Sequence, residues 1–351
     1  MTKIFALGVT GYIGGDALYA IAHAHPEYEW SCLVRNSDKG VLVAKDYPSV
    51  KLVYGDLDSH DLIAEEAAKA DVVCNWANAD HAGAANAIIS GLSRRSTPSY
   101  YIHTSGAGIL LINDIQISSY GHSSSKIYDD LDNVSEVTSL PDAAPHRSVD
   151  KVVLGAHTKS ANILTAIVCP PCIYGFGRGP GNQRSIQVPE LVRCTLQRKQ
   201  GFTVLEGNTM WAEVHVRDLA QVYLRLVEES TQPNGGAATW GPTNGYYFAE
   251  SGEFVWGDVS RAVVKEARRQ GFEKLQKSVV GLDVTEARKM FKAGPELWGC
   301  NSRCRALRAR KLLGWEPKMP KLMELIPQDV ELEARRLSLV KTHAEVAAGE
   351  A

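Results

Sequence analysis

Along the first half of the chain, short apolar runs alternate with longer stretches in which apolar residues recur every three or four positions. The runs KIFAL (3–7), WSCLV (30–34), KLVYG (51–55), DVVCNW (71–76), YYIHTS (100–105) and ILTAIV (163–168) predict β-strands. The stretches between them, the first from about Gly11 to Ala24, predict helices. This alternation predicts an α/β fold, a doubly wound parallel sheet with helices on both faces. Past residue 175 the order changes. VPELVRCTLQRKQ (188–200), the stretch from Arg217 to Glu229 and VWGDVSRAVVKEARRQG (255–271) read as helices, and AATWGPTNGYYFA (237–249) as a strand and turn. A smaller mixed α/β C-terminal substrate lobe is therefore expected, and residues 319–351 predict a C-terminal helix and a frayed tail. Residues 1–175 form the expected first domain and 176–351 mainly the lobe and C-terminal helices, with segments such as 203–230 returning to the first domain.

Composition narrows the class. A chain of 351 residues suits one large α/β domain carrying a lobe, and 44% hydrophobic with 22% charged residues describes an ordinary globular protein. A net charge of −2 leaves no basic footprint for nucleic acid. No apolar run approaches the ~18 residues of a membrane span, and MTKIFALGVTGYIGG suits a strand and turn better than a signal peptide. The expected location is the cytoplasm and the expected partner a small-molecule substrate, with room for a homodimer. Seven scattered cysteines predict reduced thiols. Cys169-Pro-Pro-Cys172 has C-x-x-C spacing and Cys300 with Cys304 could make a second half-site, but Cys169 ends an apolar run and no His cluster attends either pair. Buried thiols and no metal are expected.

The candidate chemistry begins where the first strand ends. Gly8-Val-Thr10-Gly11-Tyr12-Ile13-Gly14 lies between that strand and the first helix. Glycines there allow a tight turn and close approach of backbone N–H groups to a pyrophosphate. After the second strand stands Arg35, where an NAD-binding protein usually has an acid. A guanidinium can pair with a 2′-phosphate, so NADP(H) is the expected cofactor; the alternative is a solvated loop arginine near Asp38. Asp56 and Leu57 after the third strand are placed at the adenine, and Ala77 and Asn78 after the fourth beside the phosphates.

With GVTGYIG, GDL, HTSGAG, PPCIYGFG, VHVRDLA and LLGWEP in this order, the chain resembles the extended or atypical short-chain dehydrogenase/reductases, also described as NAD-dependent epimerase/dehydratases, over about residues 3–318. It is similar to a fungal type within them that carries YDD (128–130), LP (140–141) and HR-x-V-D (146–150). The resemblance implies a Rossmann domain with a substrate lobe, and a Ser or Thr after the fifth strand acting with a Y-x-x-x-K pair on the next helix. By position Lys151 matches that lysine, but Arg147 stands four residues earlier, so the tyrosine is absent. The usual serine position falls on Gly106, leaving Thr104 and Ser105 as neighbours. Pro170 and Ile173 are implied at the nicotinamide, and the glycine-rich loop from Tyr174 to Gly181, with Arg178, as a mobile lid. Trp211, His215 and Arg303 match segments that line the substrate site in relatives, or are packing and surface residues.

The stretch APHRSVDKVVL (144–154) reads as the start of a helix with Pro145 near its first position, and Arg147 and Lys151 on one face. Two cations near the positive end of a helix dipole call for another reason to be there. The expectation is that they face the reacting group, Arg147 holding an oxyanion or carboxylate, with His146, a tyrosine of residues 111–130 or water as proton donor. The alternative is an ion pair of Arg147 with Asp142 or Asp150. The leading expectation is an NADPH-dependent reductase of a ketone, imine or activated alkene. Two others stand beside it: an epimerase or dehydratase that recycles its cofactor, and a non-catalytic NADP(H)-binding sensor or scaffold.

Overall fold

A computed structural model describes residues 1–340. The first part alternates as expected: β1 Lys3–Leu7, α1 Tyr12–Ala24, β2 Glu29–Val34, α2 Ser37–Asp46, β3 Lys51–Tyr54, α3 His60–Ala67, β4 Val72–Asn75, α4 Ala82–Leu92 and β5 Ser99–Thr104. Then come α5 Ile112–Ile117, the two-residue strand β6 Tyr128–Asp129, α6 Val134–Thr138, α7 Arg147–Leu154 and β7 Ile163–Cys169. The remainder holds β8 Cys172–Tyr174, α8 Gln187–Arg198, β9 Gly201–Val204, β10 Met210–His215, α9 Val216–Ser230, β11 Tyr246–Phe248, β12 Gly252–Val255 and α10 Trp256–Arg269. A last long helix spans Leu322–Arg336. The tail from residue 341 on lies outside the described residues.

Seven parallel strands form the main sheet in the order β11-β7-β5-β4-β1-β2-β3. Every residue of β4 and β5 is buried, which suits the apolar runs of a sheet covered on both faces. The order reverses direction at β1 and β4, and a doubly wound sheet binds ligands at the carboxyl ends of its strands beside such a switch point. A smaller sheet has β10 parallel to β8 and antiparallel to β12. Two cores result. One surrounds the main sheet; the other gathers Phe202, Trp211, Trp256 and Trp298 between α8, α10 and the C-terminal helix.

Chain order and layer do not coincide. α9 packs against α1, and β11 completes the edge of the main sheet beside β7, so both belong to the first layer system although they follow α8. All seven cysteines are buried free thiols, Cys169 at the end of β7 among them. Among the described residues no helix is long and apolar enough to cross a membrane.

Candidate functional site

Gly8 leaves β1 with φ of 88°, a conformation that favours glycine, and a Cβ there would lie 2.6 Å from the backbone nitrogen of Ala77. Gly11 donates to the Gly8 carbonyl at 2.9 Å and caps α1 without a side chain, so the first N–H groups of the helix stay uncovered. A Cβ on Gly14 would collide with the Gly8 carbonyl oxygen. In front of this turn is a cavity of about 480 Å³ lined by Gly8, Thr10, Gly11, Arg35, Asp56, Leu57, Ala77 and Asn78, together with Lys39, Trp76 and Asn182. The bare backbone and exposed N–H groups fit the pyrophosphate of a dinucleotide. Ser59, donating to the Asp56 carboxylate at 3.0 Å, holds that group below the ordinary range, so it stays an anionic acceptor.

The face of α7 is not the one expected. Arg147 is buried, its Nε donating to the Leu140 carbonyl at 3.1 Å and its Nη2 to the Thr138 carbonyl, so it staples the preceding loop to the helix. Lys151 is half exposed and its Nζ binds the Asp142 carboxylate at 2.7 and 2.9 Å. Neither lines the cavity. Pro145 also lies two places before the first helical residue instead of at it, because His146 takes φ of 63° as the N-cap and the helix begins at Arg147. Instead His146 and Asp150, again four residues apart, turn toward the end of β5. His146 Nε2 lies 3.0 Å from where a Cβ on Gly106 would be and 3.2 Å from the one on Gly108. Its Nδ1 is 2.8 Å from the Asp80 carboxylate, in the loop that follows Asn78.

Asp150 is fully buried and accepts on Oδ2 from Ser105 Oγ at 3.0 Å and Tyr246 OH at 3.2 Å, while Oδ1 has no partner. Burial pushes its carboxyl up to about 6, against the hydrogen bonds. Thr104 faces the other way, its Oγ1 2.7 Å from Tyr223 OH under α9. Of the five predicted catalytic residues, only His146 thus presents an uncommitted polar atom at the strand ends. Sequence reading missed Asp80, and the H-x-x-x-D spacing of His146 and Asp150 was the available signal.

Beside the cavity, a cleft of about 400 Å³ is lined by Tyr12, Ile13, Trp76, Pro171, Ile173 and Leu297, with residues 182 and 184–187. Ala107, next to Gly106, donates to the Pro170 carbonyl at 2.9 Å, which ties the segment after β5 to the one that leads into this cleft. The glycine-rich loop is seated rather than free. Tyr12 OH donates to the Gly175 carbonyl at 2.6 Å, Asn182 N to the Thr10 carbonyl at 2.9 Å, and Arg178 clasps the buried Asp16 at 2.5 Å. Its glycines serve contact: a Cβ on Gly15 would lie 2.8 Å from the Gly179 Cα.

The lobe residues singled out by resemblance are structural. Trp211 Nε1 donates to the Cys300 carbonyl at 2.7 Å, Arg303 pairs with Glu253 at 2.8 Å, and His215 caps α9 against Gly175, burial pushing it down to about 4. Among the described residues one group, Asp58, His60 and His81, brings metal-ligating atoms together. His81 Nδ1 accepts from Ala84 N at 3.0 Å, which leaves the proton on Nε2 facing Asp58 at 3.2 Å. A proton rather than a lone pair is presented there, which opposes metal binding.

Comparison with known proteins agrees with this architecture. The model of the NAD dependent epimerase/dehydratase family matches residues 4–238. A protein of an Acremonium species described as oxidase ucsJ is 40% identical over 345 residues, 96% of this chain and 99% of its own. The dTDP-glucose 4,6-dehydratase of Bacillus anthracis, solved with NAD, superposes with a TM-score of 0.67 at 13% identity, over 96% of this chain and 98% of that one. DesIV of Streptomyces venezuelae, a dTDP-glucose 4,6-dehydratase solved with NAD, gives 0.64 at 14% identity, over 95% and 97%. The NADP(H) expectation is corrected accordingly: the family matched is the NAD dependent one and these solved structures hold NAD. Arg35 is exposed in the cavity lining, where a guanidinium is able to stack on a planar ring as well as to pair with a phosphate, so its presence alone does not call for a 2′-phosphate.

Proposed function

The chain belongs to the NAD dependent epimerase/dehydratase family, and from that premise we propose that it oxidises an alcohol group of a small molecule, with NAD⁺ in the glycine-lined cavity and His146 as base. Bound NAD⁺ supplies the hydride acceptor. The observation that carries the reading is His146 at the end of β5, its Nε2 lying 3.0 Å from where a Cβ on Gly106 would be and its Nδ1 2.8 Å from the Asp80 carboxylate. The Asp80 carboxylate holds the proton on Nδ1 and leaves the Nε2 lone pair toward the site. As hydride leaves the alcohol carbon, the hydroxyl proton passes to Nε2 and a carbonyl forms, and Asp80 stabilises the imidazolium. His146 keeps a left-handed backbone that a non-glycine residue adopts only at some cost, a feature that clusters at functional sites.

This reading takes the place of the NADPH reductase. It is the opening step of an epimerase or dehydratase as well as of a net oxidation, and the name of the Acremonium relative favours the latter. The test follows NADH absorbance with NAD⁺ and a panel of secondary alcohols. Accumulating NADH marks net oxidation, whereas product with no NADH marks a recycled cofactor. His146→Ala should lower kcat by about 10²–10⁴ with NAD⁺ affinity unchanged, and Asp80→Asn by less. Undiminished turnover in His146→Ala would remove the histidine from the chemistry.

A further inference from the structure

The cleft beside the cofactor cavity has walls whose charges are already spent. Its apolar surface comes from Ile13, Trp76, Pro171, Ile173, Ile186 and Leu297. Among the described residues one cation lines it, Arg184. That guanidinium is committed to its own side of the wall: Nε and Nη2 bind Glu333 at 2.7 and 3.0 Å, Nη2 binds Glu190 at 2.8 Å, and Nη1 reaches the Ser185 carbonyl at 3.3 Å. The two carboxylates are themselves shared, Glu190 with Arg193 at 2.7 Å and Glu333 with Arg336 at 3.8 Å, so the charges of this wall are paired among themselves. Asp329, close behind, is pushed up to about 7 by burial and by Glu333, against the attraction of Arg184. The polar side chains are likewise satisfied within the wall, Ser185 Oγ by the Ile173 carbonyl and Asn182 Nδ2 by the Arg184 carbonyl at 3.1 Å.

The pattern extends across the lobe. Arg178 is held by Asp16, Arg193 by Glu190, Arg303 and Arg305 by Glu253, and Arg310 by Glu250. A diphosphate group needs unpaired donors to replace its water, and its desolvation beside a wall whose donors are already engaged goes uncompensated. An uncharged carbon skeleton meets no such penalty and gains from covering the apolar lining. The cleft volume falls in the range of small-molecule sites, which are mostly apolar with a few polar groups that orient the ligand.

Resting on the alcohol oxidation argued above, we propose that the substrate is an uncharged, mainly apolar alcohol whose skeleton fills this cleft while its hydroxyl reaches His146, and that nucleoside diphosphates are refused. Discrimination then comes from covered apolar area.

The test is calorimetric titration of the NAD⁺-saturated protein with UDP and dTDP and, separately, with secondary alcohols from 2-butanol to 2-decanol. Affinity for the alcohols should rise about three- to fourfold per added methylene, and the diphosphates should give no binding at millimolar concentration. Ile186→Arg, an exposed position at the cleft edge, places a free guanidinium there. It should flatten the chain-length series and admit UDP, with an unchanged NAD⁺ titration showing that the variant folds. UDP binding to the unaltered protein in competition with the alcohols would overturn the proposal, as would affinity independent of chain length. Protein that binds the longer alcohols with the expected increments yet forms NADH from none of them supports the cleft's selectivity and defeats the oxidation reading alone.

Discussion

Arg147 and Asp150 are both buried on α7, and burial decides what each does. Arg147 satisfies two carbonyls of the 138–140 segment, so Arg147→Ala leaves those acceptors without their donor. The expected cost is about 1.5–3 kcal/mol, read as a fall in Tm of roughly 2–4 °C per kcal/mol, with NAD⁺ affinity retained. Loss of turnover without loss of stability would return the arginine to the active site. Asp150 has the opposite character, a carboxyl raised to about 6 by burial. Its ordinary value is near 3.9, so the folded state binds the proton more tightly than the unfolded chain does. That contribution is fully present below about pH 4 and is lost as the pH rises through about 6, amounting to ~3 kcal/mol. Asp150→Asn can keep an acceptor for Ser105 and Tyr246 and put its amide at the unpartnered Oδ1 position. Its Tm should therefore gain on that of the unaltered protein between pH 4.5 and 7; parallel pH curves would contradict the raised carboxyl.

At the scale of elements, the turn between β1 and α1 separates binding from folding. A Cβ on Gly11 has one near neighbour, the Gly8 carbonyl at 3.1 Å, whereas one on Gly14 would collide with that same oxygen. Gly11→Ala should thus fold with a small drop in Tm yet weaken NAD⁺ at least tenfold by filling the approach to the helix N-terminus. A loss of Tm in Gly11→Ala equal to that in Gly14→Ala would mean that the glycines serve packing alone. The six apolar runs were legible as strands because a doubly covered sheet writes its burial directly into sequence. α7 was legible as a helix but not in register. The left-handed His146, which decides the register, is set against Gly106 and Gly108 from another strand, and no local pattern records that. The loop after β8 was misread for a similar reason: its glycines signalled freedom, while in space they permit backbone contact with α1. Short strands such as β8 and β9 left no period to read.

For the whole molecule, the return of α9 and β11 to the main sheet ties residues far along the chain to the first layer. The Arg178–Asp16 and Arg184–Glu333 pairs fasten the following loop to α1 and to the C-terminal helix. The glycine turn, the His146 site and the cleft are thereby held together by elements from both ends of the chain. The buried thiols carry a further consequence. Cys32, Cys74, Cys169 and Cys304 lie in the core around the main sheet, and Cys172, Cys194 and Cys300 in the second core. Burial pushes each thiol up, so none offers a ready thiolate. Pulse alkylation under native conditions should leave all seven unmodified, and brief exposure to rising urea should label them in two groups if the cores open separately, or together if they open as one. The sequence thus carries seven internal clocks, readable by peptide mass alone, that time the opening of each half without an added probe.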